Sequence, residues 1–232
     1  MQRTRFQLRV TTSELTLAAT LAAVYIVSTF IPISPFIGGG PGFITAGIVM
    51  LPLIAALLRP PLAGASVTAG SLGMALFGTR TSIYVFFGPL GLLVPIIATI
   101  LGSLAFHYRW GLIFPWAYVL AGAVYYLLFS KGGTLLWLAP YFLVIISPLA
   151  VLKASGSLRT GLLSFYTAMS EQVTLNVISI SVLGLVGGFW IAVTPLMFIE
   201  RTVATLGGTV LIVALKSRLG TRLEASLGSL GR

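Results

Sequence analysis

The sequence predicts an all-α protein, a polytopic bundle of about eight transmembrane helices with both termini in the cytoplasm. Of its 232 residues, 57% are hydrophobic and 8% are charged, whereas about 25% are charged in a typical soluble domain. Apolar stretches long enough to cross a hydrocarbon core of about 30 Å follow one another almost from end to end. We therefore expect a single integral membrane domain over residues 1–232 of a multi-pass cell-membrane protein, with basic cytoplasmic tails at 1–13 and 217–232.

Eight apolar runs, separated by charges, glycines and prolines, define the predicted spans. The second and third are short, and "LLRPPLAG" between them predicts a tight reversal, because two prolines end one helix and begin the next. These two spans are expected to form a hairpin inside the bundle. Six spans is the alternative count, if that hairpin or the 111–152 pair does not fully cross. The eight spans lie at 14–33, 43–58, 62–78, 83–106, 111–129, 134–152, 161–187 and 192–215.

The positions of the cations favour eight spans. With a cytoplasmic N-terminus, eleven of the fourteen Lys and Arg residues fall on the cytoplasmic side, Arg80 and Lys131 fall outside, and Arg201 lies within a span. This distribution follows the positive-inside rule. It also accounts for the net charge of +10, so no nucleic-acid partner is predicted.

The first predicted helix contains two ridges of small residues. In "TLAATLAAVY", Ala18 pairs with Ala22 and Ala19 with Ala23 at small-xxx-small spacing. Such ridges allow helices to approach closely, either within the protein or against a partner. We keep both interpretations open at this point.

The loop after this helix, "PISPFIGGGPGF", is uncharged and rich in glycine, and it falls on the predicted outer side. Glycine permits positive φ angles and hinge-like motion. The loop is therefore interpreted either as a lid over an outward-facing site or as a plain connector. The residues assigned to the lid are Phe36, Gly38, Gly39, Gly40 and Phe43.

The seventh predicted helix carries a carboxylate inside an apolar run. The chain has no aspartate and four glutamates, and Glu171 lies in "MSEQVTLN" together with Gln172, Thr174 and Asn176. At 100° per residue, Glu171 and Thr174 share one face, which Gln172 and Asn176 flank. A carboxylate at bilayer depth costs about 3 kcal/mol on insertion scales, so such a residue is interpreted as functional, with a partner. The opposite face is expected to contact lipid, and it consists of Leu162, Tyr166, Met169, Val173, Val177 and Ile180.

The eighth predicted helix supplies the candidate partner, Arg201, next to Glu200 in "MFIERTVATLGGTVL". These two adjacent residues project about 100° apart, so they are expected to splay instead of pairing with each other. Small residues on the same side, Ala204, Gly207 and Gly208, indicate that this side faces protein. Three interpretations remain: a structural ion pair between Glu171 and Arg201, a polar wall for a small solute, or a proton or ion relay.

The four tryptophans, Trp110, Trp116, Trp137 and Trp190, lie near predicted helix ends. Amphipathic rings favour the membrane interface, so anchoring is the first interpretation. Stacking on a ligand is the alternative for Trp137 and Trp190, which fall near the outer side.

Several chemistries lack their residues. Without cysteine or aspartate, and with His107 as the one histidine, the chain cannot form thiolate sites, an aspartyl dyad or a multi-histidine metal site. A serine protease is nearly excluded as well, because the one histidine falls in a predicted loop. No phosphate-binding G-x-x-x-x-G-K-[ST] loop is present, so any use of ATP requires a partner. We expect no enzyme, cofactor or metal site, although a glutamate-based enzyme stays open.

Four features together resemble the substrate-binding (S) components of energy-coupling factor (ECF) transporters. They are the alanine-spaced first helix near a basic N-terminus, the flexible outer loop, the hairpin "LLRPPLAGASVTAGSLG" and the last helix "TPLMFIERTVATLGGTVLIVALKSR". The family's usual core has six helices. The resemblance implies that one alanine ridge, either Ala18 with Ala22 or Ala19 with Ala23, contacts a transmembrane coupling subunit. It also implies that the loop from Phe36 to Phe43 closes over a vitamin or related micronutrient. It also implies a pocket faced by the polar groups of the last two helices, Glu171, Gln172, Asn176 and Glu200.

The expected function is therefore solute capture for an importer whose ATPase subunits are separate chains. The residues expected to bind the solute are Trp137, Glu171, Gln172, Thr174, Asn176, Glu200 and Arg201. Two alternatives remain, a stand-alone secondary transporter and a membrane scaffold protein. A secondary transporter would show inverted halves, and no convincing internal repeat is visible.

Overall fold

A computed structural model describes residues 10–35, 43–76 and 87–228. Within these ranges it is all-helical apart from one short hairpin, which confirms the all-α prediction. Two 3-10 segments, Gly88–Leu92 and Leu135–Leu138, lead into α4 and α6, and the hairpin pairs β1 (Pro32–Pro35) with β2 (Phe43–Thr45). The helices are α1 (Thr12–Ser28), α2 (Gly47–Leu57), α3 (Pro60–Leu76), α4 (Leu93–His107), α5 (Ile113–Phe129), α6 (Ala139–Ile146), α7 (Pro148–Lys153), α8 (Gly156–Leu183) and α9 (Gly188–Gly228).

Two helical segments among the described residues, Gly88–His107 and Gly188–Arg218, are long and apolar enough to cross a membrane. Four shorter helical segments, of 10–17 residues, are also apolar. A membrane location is thereby indicated, by length and composition.

The first helix begins earlier than predicted because of its cap. The Thr11 hydroxyl accepts a hydrogen bond from the Glu14 amide at 3.2 Å, and the Glu14 carboxylate accepts one from the Thr11 amide at 2.9 Å. This capping box satisfies amides that the first turn leaves unpaired. It also gives one of the four glutamates a local structural role.

The hairpin flanks the loop predicted as a lid. Its strands are antiparallel, with Pro32 opposite Thr45 and Pro35 opposite Phe43. Phe43 thus belongs to β2. The other residues assigned to the lid lie outside the described residues, and they are Phe36, Gly38, Gly39 and Gly40.

The sixth predicted span is interrupted, which gives nine helices in the described residues instead of eight. Pro148 has no amide hydrogen to donate to the preceding turn. The Val144 carbonyl instead accepts a hydrogen bond from the Tyr166 hydroxyl at 2.8 Å. The Ile145 carbonyl accepts one from Trp116 Nε1 at 3.0 Å. Side chains of α5 and α8 therefore hold the break between α6 and α7 in place.

The last helix is longer than predicted. It runs for 41 residues to Gly228, through most of the segment expected to be a tail, and Pro195 lies inside it. Leucine, alanine, arginine and glutamate, which favour helices, are frequent after residue 215 and continue it. The predicted tail 217–232 is thus helical as far as it is described.

Helix α8 lies at the centre of the bundle, where α2, α4, α5 and α9 pack against it. The prediction that its apolar face contacts lipid is wrong. Tyr166, Met169 and Val173 on that face are at most 1% exposed, and they belong to a core shared with α5, α6 and α9. A helix surrounded by other helices is apolar on its packed faces, whatever their direction.

The reversal predicted at "LLRPPLAG" joins α2 to α3. Every residue of α2 except Val49 is buried, as expected for a helix inside the bundle. Helix α3 packs against α1 and α4, while Leu72 and Leu76 on it are exposed. Helix α2 therefore lies inside the bundle as predicted, whereas α3 is buried on one face only.

Close packing of α5 on α8 leads to a prediction. A Cβ on Gly122 would lie 2.5 Å from Val173 Cγ1, so Gly122→Ala is expected to cost about 1 to 3 kcal/mol of folding stability by overpacking. Adding Val173→Ala should recover part of that loss. The control is Gly161→Ala, whose Cβ would lie 3.7 Å from Thr209, and it should be neutral or stabilising by up to about 1 kcal/mol. Denaturant unfolding of the four proteins measures this, and equal losses at Gly122 and Gly161 would contradict it.

Candidate functional site

Three buried charged side chains meet where α8 contacts α9. Glu171, Glu200 and Arg201 are 1%, 4% and 2% exposed. Arg201 Nη1 lies 2.5 Å from Glu171 Oε2 and also donates to the Ala168 carbonyl at 2.9 Å. The interhelical pair expected from the sequence is therefore present. The expected splay is wrong, because Arg201 Nη2 also lies 3.7 Å from Glu200 Oε2.

Small residues bring these helices together. Ala168 of α8 and Ala204 of α9 are at most 1% exposed and form a cluster with Ile44 and Ile48. One turn further along α9, a Cβ on Gly207 would lie 2.9 Å from Val49 of α2. The small side of α9 thus faces protein, as predicted, and it holds Arg201 within reach of α8.

The buried cluster has a clear electrostatic role. Burying a carboxylate or a guanidinium away from water is costly unless an opposite charge and hydrogen bonds compensate it. Glu171 has Arg201, and the Arg201 guanidinium lies between two carboxylates. The cluster therefore fixes α9 against α8 and sets the orientation of Glu200.

Two cavities flank this cluster. The first, which we name the Glu171 cavity, has a volume of about 30 Å³, and its polar lining residues are Tyr25, Thr29, Thr45, Ser71 and Glu171. The second, the aromatic cavity, has a volume of about 60 Å³. A cavity needs a volume of about 10 to 15 Å³ to hold one water molecule. Each of the two cavities therefore has room for a few water molecules. The polar and aromatic side chains lining the aromatic cavity are Trp137, Gln172, Asn176, Ser179, Phe189, Trp190 and Glu200.

Ile44 lines both cavities. It belongs to β2, is 6% exposed, and packs on Ala168 and Ala204. The side chain of Ile44 thus forms part of the partition between the two cavities.

A chain of hydrogen bonds organises the wall of the aromatic cavity. Gln172 Nε2 donates to Asn176 Oδ1 at 2.9 Å, and Asn176 Nδ2 donates to the Tyr141 hydroxyl. Residues 172 and 176 are one turn apart, so the two amides stack along α8. Such a chain fixes the direction of each donor and acceptor before any ligand arrives.

Aromatic rings form another part of the wall of the same cavity. The ring centroids of Trp137 and Trp190 are 5.0 Å apart, and Tyr126 and Phe189 each lie 5.4 Å from Trp190. Both tryptophans are 2% exposed, so their interpretation as interface anchors is wrong: the cluster buries them. Trp110, at 81% exposed, remains compatible with an anchoring role.

The seven residues predicted to bind solute occupy different places. Trp137, Gln172, Asn176 and Glu200 line the aromatic cavity, and Glu171 lines the Glu171 cavity. Arg201 lies between the two carboxylates. Thr174 lines neither of these cavities, because its hydroxyl bonds to the Ser170 carbonyl at 3.0 Å and the Tyr118 hydroxyl at 2.9 Å.

Sequence reasoning missed Tyr25, Ser71 and Ile44. Tyr25 had a detectable signal, because it follows Ala18 and Ala22 at helical spacing and shares their buried face. Ser71 in α3 and Ile44 in a short strand belong to no pattern that distinguishes them from packing residues.

The two alanine ridges of α1 have different surroundings. Ala18 and Ala22 are buried at 6% and 8% exposure. Ser66 of α3 donates to the Ala18 carbonyl at 2.8 Å, so this ridge serves packing within the protein. Ala19 and Ala23 are exposed and leave the second ridge on the surface.

Among the described residues, no group of three or more His, Cys, Asp or Glu side chains is arranged to hold a metal ion. Comparison with protein-family models, curated proteins and solved structures found no match.

Proposed function

We propose that the chain is a membrane-embedded solute-capture subunit of an ECF-type importer for a vitamin or related micronutrient, powered by a separate ATPase module. One observation carries the proposal: the buried side chains of Trp137, Gln172, Asn176 and Glu200, all expected to bind solute, line a single cavity. Protein cavities that combine aromatic walls with a few oriented polar groups are typical small-molecule sites.

The surface supports a multi-pass arrangement in the membrane. Large apolar side chains are exposed on every described helix except α2, for example Val27, Leu128 and Val210 at 64%, 68% and 65%. A soluble monomer rarely exposes so much contiguous apolar surface. In a bilayer the same side chains contact lipid, and the helices other than the two candidate spans Gly88–His107 and Gly188–Arg218 cross as parts of the bundle.

The chemistry of the aromatic cavity suits capture by selective binding. Amide groups in a low-dielectric cavity reward a solute whose donors and acceptors match theirs, and they penalise one that leaves them unpaired. The indole rings provide flat apolar area for a planar or ring-containing solute. The aromatic cavity has room for a few water molecules in the conformation described, so binding of a vitamin-sized solute requires it to widen. Ile44 of the β1–β2 hairpin lines the cavity, and we propose that movement of this hairpin opens the cavity and closes it over the solute.

The proposed coupling surface is the exposed alanine ridge of α1. Ala19 and Ala23 provide a flat strip against which a helix of a transmembrane coupling subunit can approach closely. Energy for release of the solute then comes from ATPase subunits that contact this partner.

Solute retention tests the proposal. The protein is purified gently in detergent, and small molecules released on denaturation are identified by mass spectrometry. We expect one enriched compound at about one molecule per chain from the wild type. Leu196→Trp, which fills the aromatic cavity, should lose it, because Leu196 lines that cavity and is half-buried.

Ile191→Trp is the matched control. Ile191 lies on the same helix, is 60% exposed and lines neither cavity, so this variant should retain the compound. A wild-type protein that releases no compound, or a compound kept equally by Leu196→Trp, would contradict solute capture and favour the scaffold alternative.

A further inference from the structure

A third hollow lies apart from the Glu171 cavity and the aromatic cavity, and most of its lining side chains are exposed. It has a volume of about 290 Å³ and lies between the α4–α5 link and helix α7. Arg109, Trp110 and Ile113 line one side, and Pro148 and Leu152 line the other. We name it the α5–α7 groove. Neither the charge cluster nor the predicted solute site uses these residues.

The groove is a built feature of the fold. It lies beside the break between α6 and α7, which the hydrogen bond from Trp116 Nε1 to the Ile145 carbonyl holds in place. Trp116 also lines the groove. Because the break is tied down by side chains, the groove keeps its shape instead of closing by straightening of the helix.

The groove has one cationic end and one apolar wall. Arg109 and Trp110 are exposed, and Trp110 is 81% exposed. Ile113 and Leu152, at 53% and 54%, present aliphatic surface to the surroundings. A guanidinium binds phosphate oxygens well, and an indole favours the head-group level of a bilayer.

We infer that the α5–α7 groove binds one phospholipid with an anionic head group. The phosphate lies at Arg109 beside Trp110, and the upper part of an acyl chain lies between Ile113 and Leu152. Charge complementarity selects this occupant, because the one charged group lining the groove is a cation placed at the end of an aliphatic surface. Basic pockets between helices near the cytoplasmic face are suited to such lipids. The inference rests on the proposed membrane embedding and is independent of the solute.

Lipid titration tests the inference. The protein is purified in detergent, stripped of lipid and titrated with phosphatidylglycerol or phosphatidylcholine, while native mass spectrometry counts bound molecules. We expect one phosphatidylglycerol to bind about fivefold more tightly than phosphatidylcholine, the preference that one cation near a membrane surface provides. Arg109→Gln should abolish this preference. Leu152→Trp, which fills the groove, should weaken the binding of both lipids.

Two control variants make the test specific. Lys153→Gln removes an exposed cation near the groove that does not line it, and Leu149→Trp enlarges an exposed apolar residue of the same helix outside the groove. Both should behave like the wild type. A preference that survives Arg109→Gln, an absence of preference in the wild type, or equal weakening by Leu149→Trp and Leu152→Trp would overturn the lipid site alone. Recovery of the protein without detergent would instead overturn the membrane embedding, and the lipid site with it.

Discussion

Arg201→Met is expected to reduce the free energy of unfolding by about 3 to 5 kcal/mol, as is typical when one partner of a buried ion pair is removed. Glu171 is 1% exposed, and its carboxylate lies 2.5 Å from Arg201 Nη1. Without Arg201 this carboxylate keeps its desolvation cost and loses its charged partner. Denaturant unfolding in mild detergent measures the loss. Arg159→Met, at an exposed cation on α8, should change stability by less than about 0.5 kcal/mol.

The double variant Glu171→Leu with Arg201→Met distinguishes a purely structural ion pair from a pair that also forms part of the solute site. Replacing both charges with apolar groups of similar size is often close to neutral, so most of the lost stability should return. Together with the Glu171→Leu single variant, these proteins complete a double-mutant cycle that gives the coupling energy between the two residues. If the refolded double variant keeps the retained compound, the pair is structural; if it loses the compound, the pair also serves the site. A double variant as unstable as Arg201→Met would contradict the ion-pair argument.

Asn176→Leu is expected to weaken binding of the retained compound by about 2 kcal/mol, or about 30-fold. Asn176 accepts a hydrogen bond from Gln172 and donates one to Tyr141. In the variant, Gln172 and Tyr141 lose the hydrogen-bond partner that orients them. Leucine also places an apolar group where the solute is expected to meet the side-chain amides. Equilibrium binding of the compound identified from the wild type measures the change.

The control for this prediction is Ser181→Ala. Ser181 lies on the same helix, pairs with the Tyr125 hydroxyl at 2.6 Å in an exposed position, and lines neither cavity. Removing the Ser181 hydroxyl should leave the affinity for the retained compound unchanged. Equal affinity in Asn176→Leu and the wild type, with both proteins folded, would remove the amide chain from the binding site.

The buried ion pair could be predicted from the sequence because charged residues are rare in the apolar runs. A chain with four glutamates has few ways to satisfy one in an apolar helix, so Arg201 could be identified as the partner of Glu171. The same scarcity drew attention to Gln172 and Asn176, which line a cavity together. Helical segments were equally predictable, since long apolar runs between prolines, glycines and charges leave few alternatives.

Apolar patterning could not distinguish lipid from protein. In a bilayer both surroundings are apolar, so Val173, which packs on Gly122, looks the same in sequence as a lipid-facing valine. Trp137 and Trp190 presented a similar ambiguity, because an indole fits an interface and a buried cluster equally well. The sequence predicted one continuous helix across Pro148, because membrane helices tolerate proline when neighbouring side chains bond to the freed carbonyls. Tyr166 and Trp116 form such bonds here, but the helix is interrupted.

The length of α9 has a mechanical consequence. Its 41 residues measure about 62 Å at 1.5 Å per residue, about twice the thickness of a hydrocarbon core. Pro195 lacks a backbone hydrogen bond, which permits the helix to bend there. Glu200 and Arg201 follow it by five and six residues, within the first half of the helix. A tilt of about 10° at Arg201 moves the far end by about 7 Å over a lever arm of about 40 Å. If α9 stays straight beyond Arg201, a small displacement at the buried charges becomes a large one at Gly228.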